Sequence, residues 1–225
     1  MNDRSIVSGD LCQFRPYVDA YRPTADEVSD GWQGLHYLAM HEERMLALLQ
    51  RSLRHMGEGS RVLDLGAFPG TLLRLIGDFA RDRSPLLAAG GLLFSESFLE
   101  ILRANGVRSF TVDLDPVAAG QPVGSEEPRY NLPGGEVFDL VIASEVLEHM
   151  ANPLHLVRLA HRALRPGGVF LLSTPNAAWI RSRWDLLLGR SPNPPLTEGI
   201  LNASVNDWRP HVRIYTAAEL EQLLD

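Results

Sequence analysis

Apolar residues at Leu35, Leu38, Met45, Leu46, Leu49, Leu53 and Met56 fall at helical spacing, and the run stops at Gly57-Glu58-Gly59, a glycine-rich helix end. From Arg61 the pattern changes to short apolar runs alternating with amphipathic segments. The runs Val62–Leu65, Gly91–Phe94, Val107–Val112, Phe138–Ala143 and Gly168–Ser173 predict strands. Between them, helices are expected over Thr71–Arg81, from an N-cap at Ser95 through Asn105-Gly106, and from Asn152-Pro153 through Leu164, with a last helix starting near Thr216. Strand–helix alternation implies a doubly wound, mostly parallel α/β sheet with helices on both faces. The Phe138–Ala143 run is apolar throughout, as a strand buried on both faces requires.

Three stretches lack such order. Residues 1–30 carry Pro16 and Pro23 and read as an irregular arm. Residues 114–136, with Pro116, Pro122, Pro128 and Pro133, predict a long loop or a broken short helix instead of a regular crossover helix. Residues 190–210, with Pro192, Pro194, Pro195 and Pro210, predict a long loop beyond a strand's carboxyl end, a common place for a lid. The division that follows is an N-terminal arm and helix over 1–57, forming a cap, and a Rossmann-like domain over 58–225 with a lid segment at 190–213.

Composition narrows the chemistry. All 21 basic residues are arginine, so Schiff-base lysines and the P-loop lysine are excluded. A net charge of −7 argues against a surface that coats nucleic acid, although Arg181, Arg183 and Arg190 near Trp179 and Trp184 leave a local groove open. Cys12 is the single cysteine, which rules out an intramolecular disulfide framework and a cysteine-based zinc cluster. No apolar run approaches the roughly 18 residues of a membrane span. The N-terminus has no signal-peptide core, and a cytoplasmic location is expected. No histidine pair has a strong metal spacing, and no metal site is expected.

The residues at the strand exits carry the functional signal. Arg61-Val-Leu-Asp64-Leu-Gly66-Ala67-Phe68-Pro69-Gly70-Thr71 runs strand, glycine turn and helix; the turn admits a ligand close to the backbone, and the helix start offers N–H groups to an anion. Phe110-Thr-Val-Asp113-Leu114-Asp115 ends the third strand on acids. Phe138-Asp-Leu-Val-Ile-Ala-Ser144-Glu145-Val-Leu-Glu148-His149 ends the fourth on another. Leu164-Arg-Pro-Gly167-Gly168 turns into the fifth, which leaves through Ser173-Thr174-Pro175-Asn176.

This ordered set, with Pro210-His211-Val-Arg213-Ile-Tyr215-Thr216 after it, resembles the class I S-adenosylmethionine-dependent methyltransferases over roughly residues 60–225, in particular the ubiquinone-type O-methyltransferases and many sugar and natural-product enzymes. The resemblance implies a Rossmann-like fold, S-adenosyl-L-methionine as cofactor and S-adenosyl-L-homocysteine as product. It places Asp64, Gly66, Ala67, Phe68 and Gly70 on the amino-acid end of the ligand, with Asp64 pairing to the ammonium. It places Asp113 and Leu114 at the adenine, and Ser144 and Glu145 near the sulfonium. Asp64 as a turn cap and Asp113 as a turn residue before Pro116 are the structural alternatives, with Asp115 next to be tested if Asp113 fails. His211, in the lid segment, and His149 are candidate general bases because histidine titrates near neutrality. Either could instead be structural, His211 tying the lid to the core and His149 with Glu148 capping a turn.

The sequence departs from the family pattern at three points. Phe68-Pro69 replaces the middle of the usual glycine turn. The acid that normally ends strand two and grips the ribose hydroxyls is replaced by Leu93 or Phe94; Glu96 could reach the ribose from the helix start, and loss of that contact is the alternative. The family's final strand pair is not seen before Asp225. The expected reaction is methyl transfer to a small molecule, at a hydroxyl of a sugar, phenol or secondary metabolite, and Trp32, Trp179, Trp184 and Trp208 could stack on the acceptor. Nucleic acid and membrane are not expected partners, and a homodimer is left open. A catalytically inactive methyltransferase-like binding module is the competing reading; a nicotinamide-dependent oxidoreductase is disfavoured by the absent G-x-G-x-x-G spacing.

Overall fold

A computed structural model describes residues 13–28, 36–92, 94–116, 132, 135–191 and 211–225. Residues 13–20 form helix α1, followed by a short 3-10 turn at Ala25–Glu27. Helices α2 (Tyr37–Met40) and α3 (Glu42–His55) lead into β1 (Arg61–Leu65). The alternation then runs α4 (Thr71–Phe79), β2 (Leu86–Gly91), α5 (Glu96–Ala104), β3 (Arg108–Thr111), β4 (Phe138–Ser144), α6 (Pro153–Ala163) and β5 (Leu164–Ser173). Helices α7 (Ile180–Leu187) and α8 (Ala217–Leu224) complete the described part.

The five strands are all parallel, in the order β3-β2-β1-β4-β5. Strand side chains alternate between two cores, as a period-two pleat demands. Val62, Ala89, Leu140 and Ile142 face a core built with α1, α3, α4 and α5. Leu63, Leu65, Ala88, Val141 and Ala143 face the other, with Leu156, Leu159, Ala160 and Ala163 of α6 and Leu220 of α8 against it. The doubly wound α/β sheet expected from the sequence is therefore present. Its strand order reverses between β1 and β4, and in such sheets ligands lie outside the carboxyl ends of the strands at that reversal.

Four local expectations are corrected. Strand β2 is Leu86–Gly91, not Gly91–Phe94; its Ala-Ala-Gly-Gly centre has poor intrinsic strand preference, but β1 and β3 pair with it on both sides and supply the ladder. The long N-terminal helix is broken at His41, whose backbone leaves the helical region, so α2 and α3 are separate. Part of the expected irregular arm is helical, because Phe14, Val18 and Tyr21 are buried. Strand β5 begins at Leu164, immediately after α6, with a register shift opposite Phe138 and Leu140 that absorbs the Pro166-Gly167 step. Ser95 caps α5 as expected, accepting from the Phe98 N–H at 3.2 Å. Most of residues 114–136 and of the 190–213 lid segment lies outside the described residues.

Candidate active site

Asp64 sits on the central strand one residue before the exit to the glycine turn. It is buried, and no described residue hydrogen-bonds its carboxyl. Burial alone pushes its carboxyl up to about 8. A buried carboxyl without a partner is costly, and a ligand ammonium is the kind of group that would relieve it. The turn behind it is tight. Gly66 has φ +78°, and a side chain there would meet Val146 at 2.6 Å. Gly70 has φ +87° and caps α4; its N–H is spent on the Ala67 carbonyl at 2.6 Å, which leaves the N–H groups following it in the first turn of α4 for an anion. Phe68 stands out from the turn, 58% exposed.

A second carboxylate clamps the arm to this turn. Glu27 is fully buried and accepts from Tyr21 Oη, from Thr71 Oγ1 at 2.5 Å and from Arg74 Nη1 at 2.6 Å. Arg74 also stacks over Tyr21, 4.5 Å from the ring centre, and donates to the Arg22 carbonyl. Thr24 N–H closes the network on Glu27 at 2.8 Å. Thr71 and Arg74 belong to α4, so the arm is bolted to the helix that begins at the glycine turn. Sequence reasoning missed Glu27, although Thr24-x-x-Glu27 is a readable capping-box pattern.

The carboxyl ends of β4 and β5 form the other wall. Glu145, directly after β4, holds a left-handed backbone (φ +56°), a strained conformation for a non-glycine residue. Its carboxylate pairs with Arg44 Nη1 at 2.9 Å and accepts from Ser173 Oγ at 3.1 Å, and Ser173 lies 3.0 Å from Ser144 Oγ. Arg44 also donates to Tyr37 Oη at 2.9 Å. Burial raises the Tyr37 pKa, and Arg44 ties Tyr37 of α2 and its own helix α3 to the β4 exit. Nothing in local sequence singled out Tyr37 or Arg44.

One turn further, Glu148 is 1% exposed. Burial, reinforced by Glu145, pushes its carboxyl up to about 7, although Thr174 Oγ1 donates to it at 2.9 Å. Its backbone carbonyl accepts from Val212 and Arg213 N–H at 2.7 and 3.2 Å, docking the strap that carries His211. The Nε2 atoms of His149 and His211 each lie 4.0 Å from Glu148 Oε1, with ring centres 4.8 Å apart. Burial and the neighbouring His149 lower the His211 pKa. One ligand atom from each of these three residues lies within 4.8 Å of the others, a donor set that could hold a cation. The fold thus joins two histidines 62 positions apart in sequence, which spacing alone could not pair.

The remaining expected residues are placed as follows. Asp113 is exposed and its carboxylate accepts from the Asp115 N–H at 3.0 Å, forming a turn, while its neighbour Leu114 is buried. Asp115 is buried and accepts from the Ala151 and Asn152 N–H groups at 2.8 and 2.9 Å, so it holds the start of α6. Glu96 is exposed and pairs with Arg103 at 3.0 Å. Trp179 and Trp184 are exposed on and before α7, and Trp32 and Trp208 lie outside the described residues.

Known proteins agree with this architecture. A family model described as a methyltransferase domain matches residues 36–225. A Pseudomonas aeruginosa ubiquinone biosynthesis O-methyltransferase is 30% identical over 119 residues, 52% of this chain and 45% of that protein. A Mycolicibacterium smegmatis protein described as a probable S-adenosylmethionine-dependent methyltransferase is 32% identical over 178 residues, 79% of this chain and 55% of that protein. The chain therefore spans about half the length of these curated relatives. Among solved structures, a Bacillus halodurans protein assigned as a methyltransferase superposes with a TM-score of 0.51 at 19% identity, covering 81% of this chain and 67% of that one. The [4+2]-cyclase SpnF superposes with a TM-score of 0.53 at 17% identity, covering 95% of this chain and 66% of that one; at such identities the likeness shows the fold alone. No helix among the described residues is long and apolar enough to cross a membrane. With the family match over residues 36–225 and the all-parallel sheet in agreement, this chain belongs to the class I S-adenosylmethionine-dependent methyltransferase family.

Proposed function

We propose that this chain methylates a small-molecule acceptor at oxygen, a hydroxyl of a sugar, phenol or secondary metabolite being the concrete case. The carrying observation is the pair of imidazoles set around the buried Glu148 carboxylate, at the carboxyl end of the strand beside Asp64. Bound S-adenosylmethionine would supply an electrophilic methyl group on a sulfonium. Asp64 binds and orients by charge, and the first turn of α4 offers N–H groups to the carboxylate of the same ligand. Tyr37, Arg44 and Glu145 shield the intervening space from water. His211, its imidazole held neutral by burial, accepts the acceptor's proton, with His149 and Glu148 behind it.

The test has two stages. Calorimetric titration of the purified chain with S-adenosylmethionine and S-adenosylhomocysteine should show binding of both, and a hydroxyl-acceptor screen should then yield turnover. Binding without turnover on any acceptor favours the inactive binding module; failure of the folded chain to bind either ligand removes the cofactor assignment.

The same donor set favours a second reading, in which Glu148, His149 and His211 would hold a divalent cation that would supply Lewis-acid activation of the acceptor hydroxyl. Turnover abolished by a chelator and restored by one added cation would select it. Turnover unaffected by the chelator would return the task to the histidines alone.

A further inference from the structure

The acid-bearing exits of β1 and β4 contrast with the exit of β2. In nucleotide-binding sheets of this kind, an acid about 20 residues beyond the glycine turn commonly grips the ribose hydroxyls. Here no acid stands between Asp82 and Glu96. Asp82 lies in the 3-10 turn Arg81–Arg83, before β2 and therefore at its amino end. Glu96 is the first residue of α5, and its exposed carboxylate pairs with Arg103 on the same helix.

Phenyl rings cluster beyond the β2 exit instead. Phe68 of the glycine turn and Phe94 beyond β2 each pack edge-on against Phe98 of α5, with ring centres 5.3 and 5.1 Å apart. Phe98 is fully buried and anchors the other two. The wall is built into the backbone around it. A side chain at Gly91 would strike the Phe94 ring at 2.7 Å, and one at Gly70 would press on Phe98 at 3.0 Å. Phe68 is the exposed outer member of the wall, rising from the turn that leaves β1, the parallel neighbour of β2.

Resting on the cofactor reading above, we propose that this aromatic wall takes the ribose portion of the adenosyl ligand by ring contact and shape, with no carboxylate on its hydroxyls. The specificity that follows is unusual for a ribose site: tolerance toward loss of the hydroxyls, and dependence on Phe68.

Two titrations of the full chain test this, with S-adenosylhomocysteine and with its 2′,3′-dideoxy analogue. Hydroxyls held by an ionised acid would cost roughly tenfold or more in affinity when removed. The proposal expects the two ligands to differ by less than tenfold, and a loss of tenfold or more overturns it. Phe68→Ala should weaken both ligands alike, by about tenfold, with an unchanged melting temperature because the ring is largely exposed; unchanged affinity in that folded variant also overturns it. If the parent chain binds S-adenosylhomocysteine but rejects the dideoxy analogue, only the aromatic wall fails. If it binds neither, the cofactor reading fails with it.

Discussion

The β1 exit and the β4–β5 exit answer the same need, a charged site at the sheet's reversal, by opposite means. At β1 the chemistry is local: Asp64, Gly66 and Gly70 lie within seven consecutive residues, and each role follows from its place in a strand–turn–helix unit. At β4 the chemistry is assembled: Glu145 and Glu148 come from the strand exit, Arg44 from α3, Ser173 from the end of β5 and Thr174 just beyond it, and His211 from a strap docked on the Glu148 carbonyl. The first wall has one buried carboxyl with no hydrogen-bond partner among the described residues, while the second surrounds its carboxylates with partners. In the function proposed above, the first side takes the countercharge of a ligand and the networked side takes the acceptor's proton. The clamp at Glu27 shows a third arrangement, a buried carboxylate fully satisfied by Tyr21, Thr71, Arg74 and Thr24, and hence structural.

Substitutions can separate these regions. His211→Ala should have the largest effect, lowering kcat by roughly 10²–10⁴-fold while leaving the cofactor Kd within twofold, because it removes only a proton acceptor; a matching loss in Kd would reassign His211 to binding. Glu27→Ala should destabilise the fold by about 3–5 kcal/mol, read from chemical denaturation, since it strands Arg74 without its countercharge. Asp64→Ala should weaken S-adenosylhomocysteine about 10–150-fold by calorimetry, the loss of one charge-assisted contact, and should leave thermal stability intact or improved. Arg44→Gln should be milder, raising the cofactor Kd by several-fold, since a partly exposed pair contributes about 1 kcal/mol or less.

The pH dependence of stability sharpens the same contrast. The folded Asp64 carboxyl stands near 8, against 3.8 for an ordinary aspartate. Between those values the unfolded chain has lost the proton and the folded chain retains it. This group therefore makes the ligand-free protein less stable as pH rises from about 4 to about 8, with no further change above. Asp64→Asn should flatten that slope in melts recorded across the window. Ligand binding at neutral pH should release a proton from Asp64, visible as a buffer-dependent binding enthalpy; an unchanged enthalpy across buffers would mean that Asp64 is already ionised.

Sequence by itself determined the parallel α/β sheet, the glycine turn, the helix cap at Ser95, a last helix starting near Thr216 and the family, because strand runs, turn glycines and capping residues act over a few neighbouring positions. It placed β2 too late, at Gly91–Phe94, because the alanines and glycines of Leu86–Gly91 have little strand preference and are ordered by the ladders on either side. It also read residues 1–30 as irregular, since the burial of Phe14 and Val18 depends on a surface that only α4 and its neighbours provide. Only the tertiary structure decided which polar residues meet. Asp115 goes to the start of α6, Arg44 to Glu145, and His149 and His211 to one buried carboxylate. Charges attract across space irrespective of chain separation, and no periodicity records where the fold will bring them.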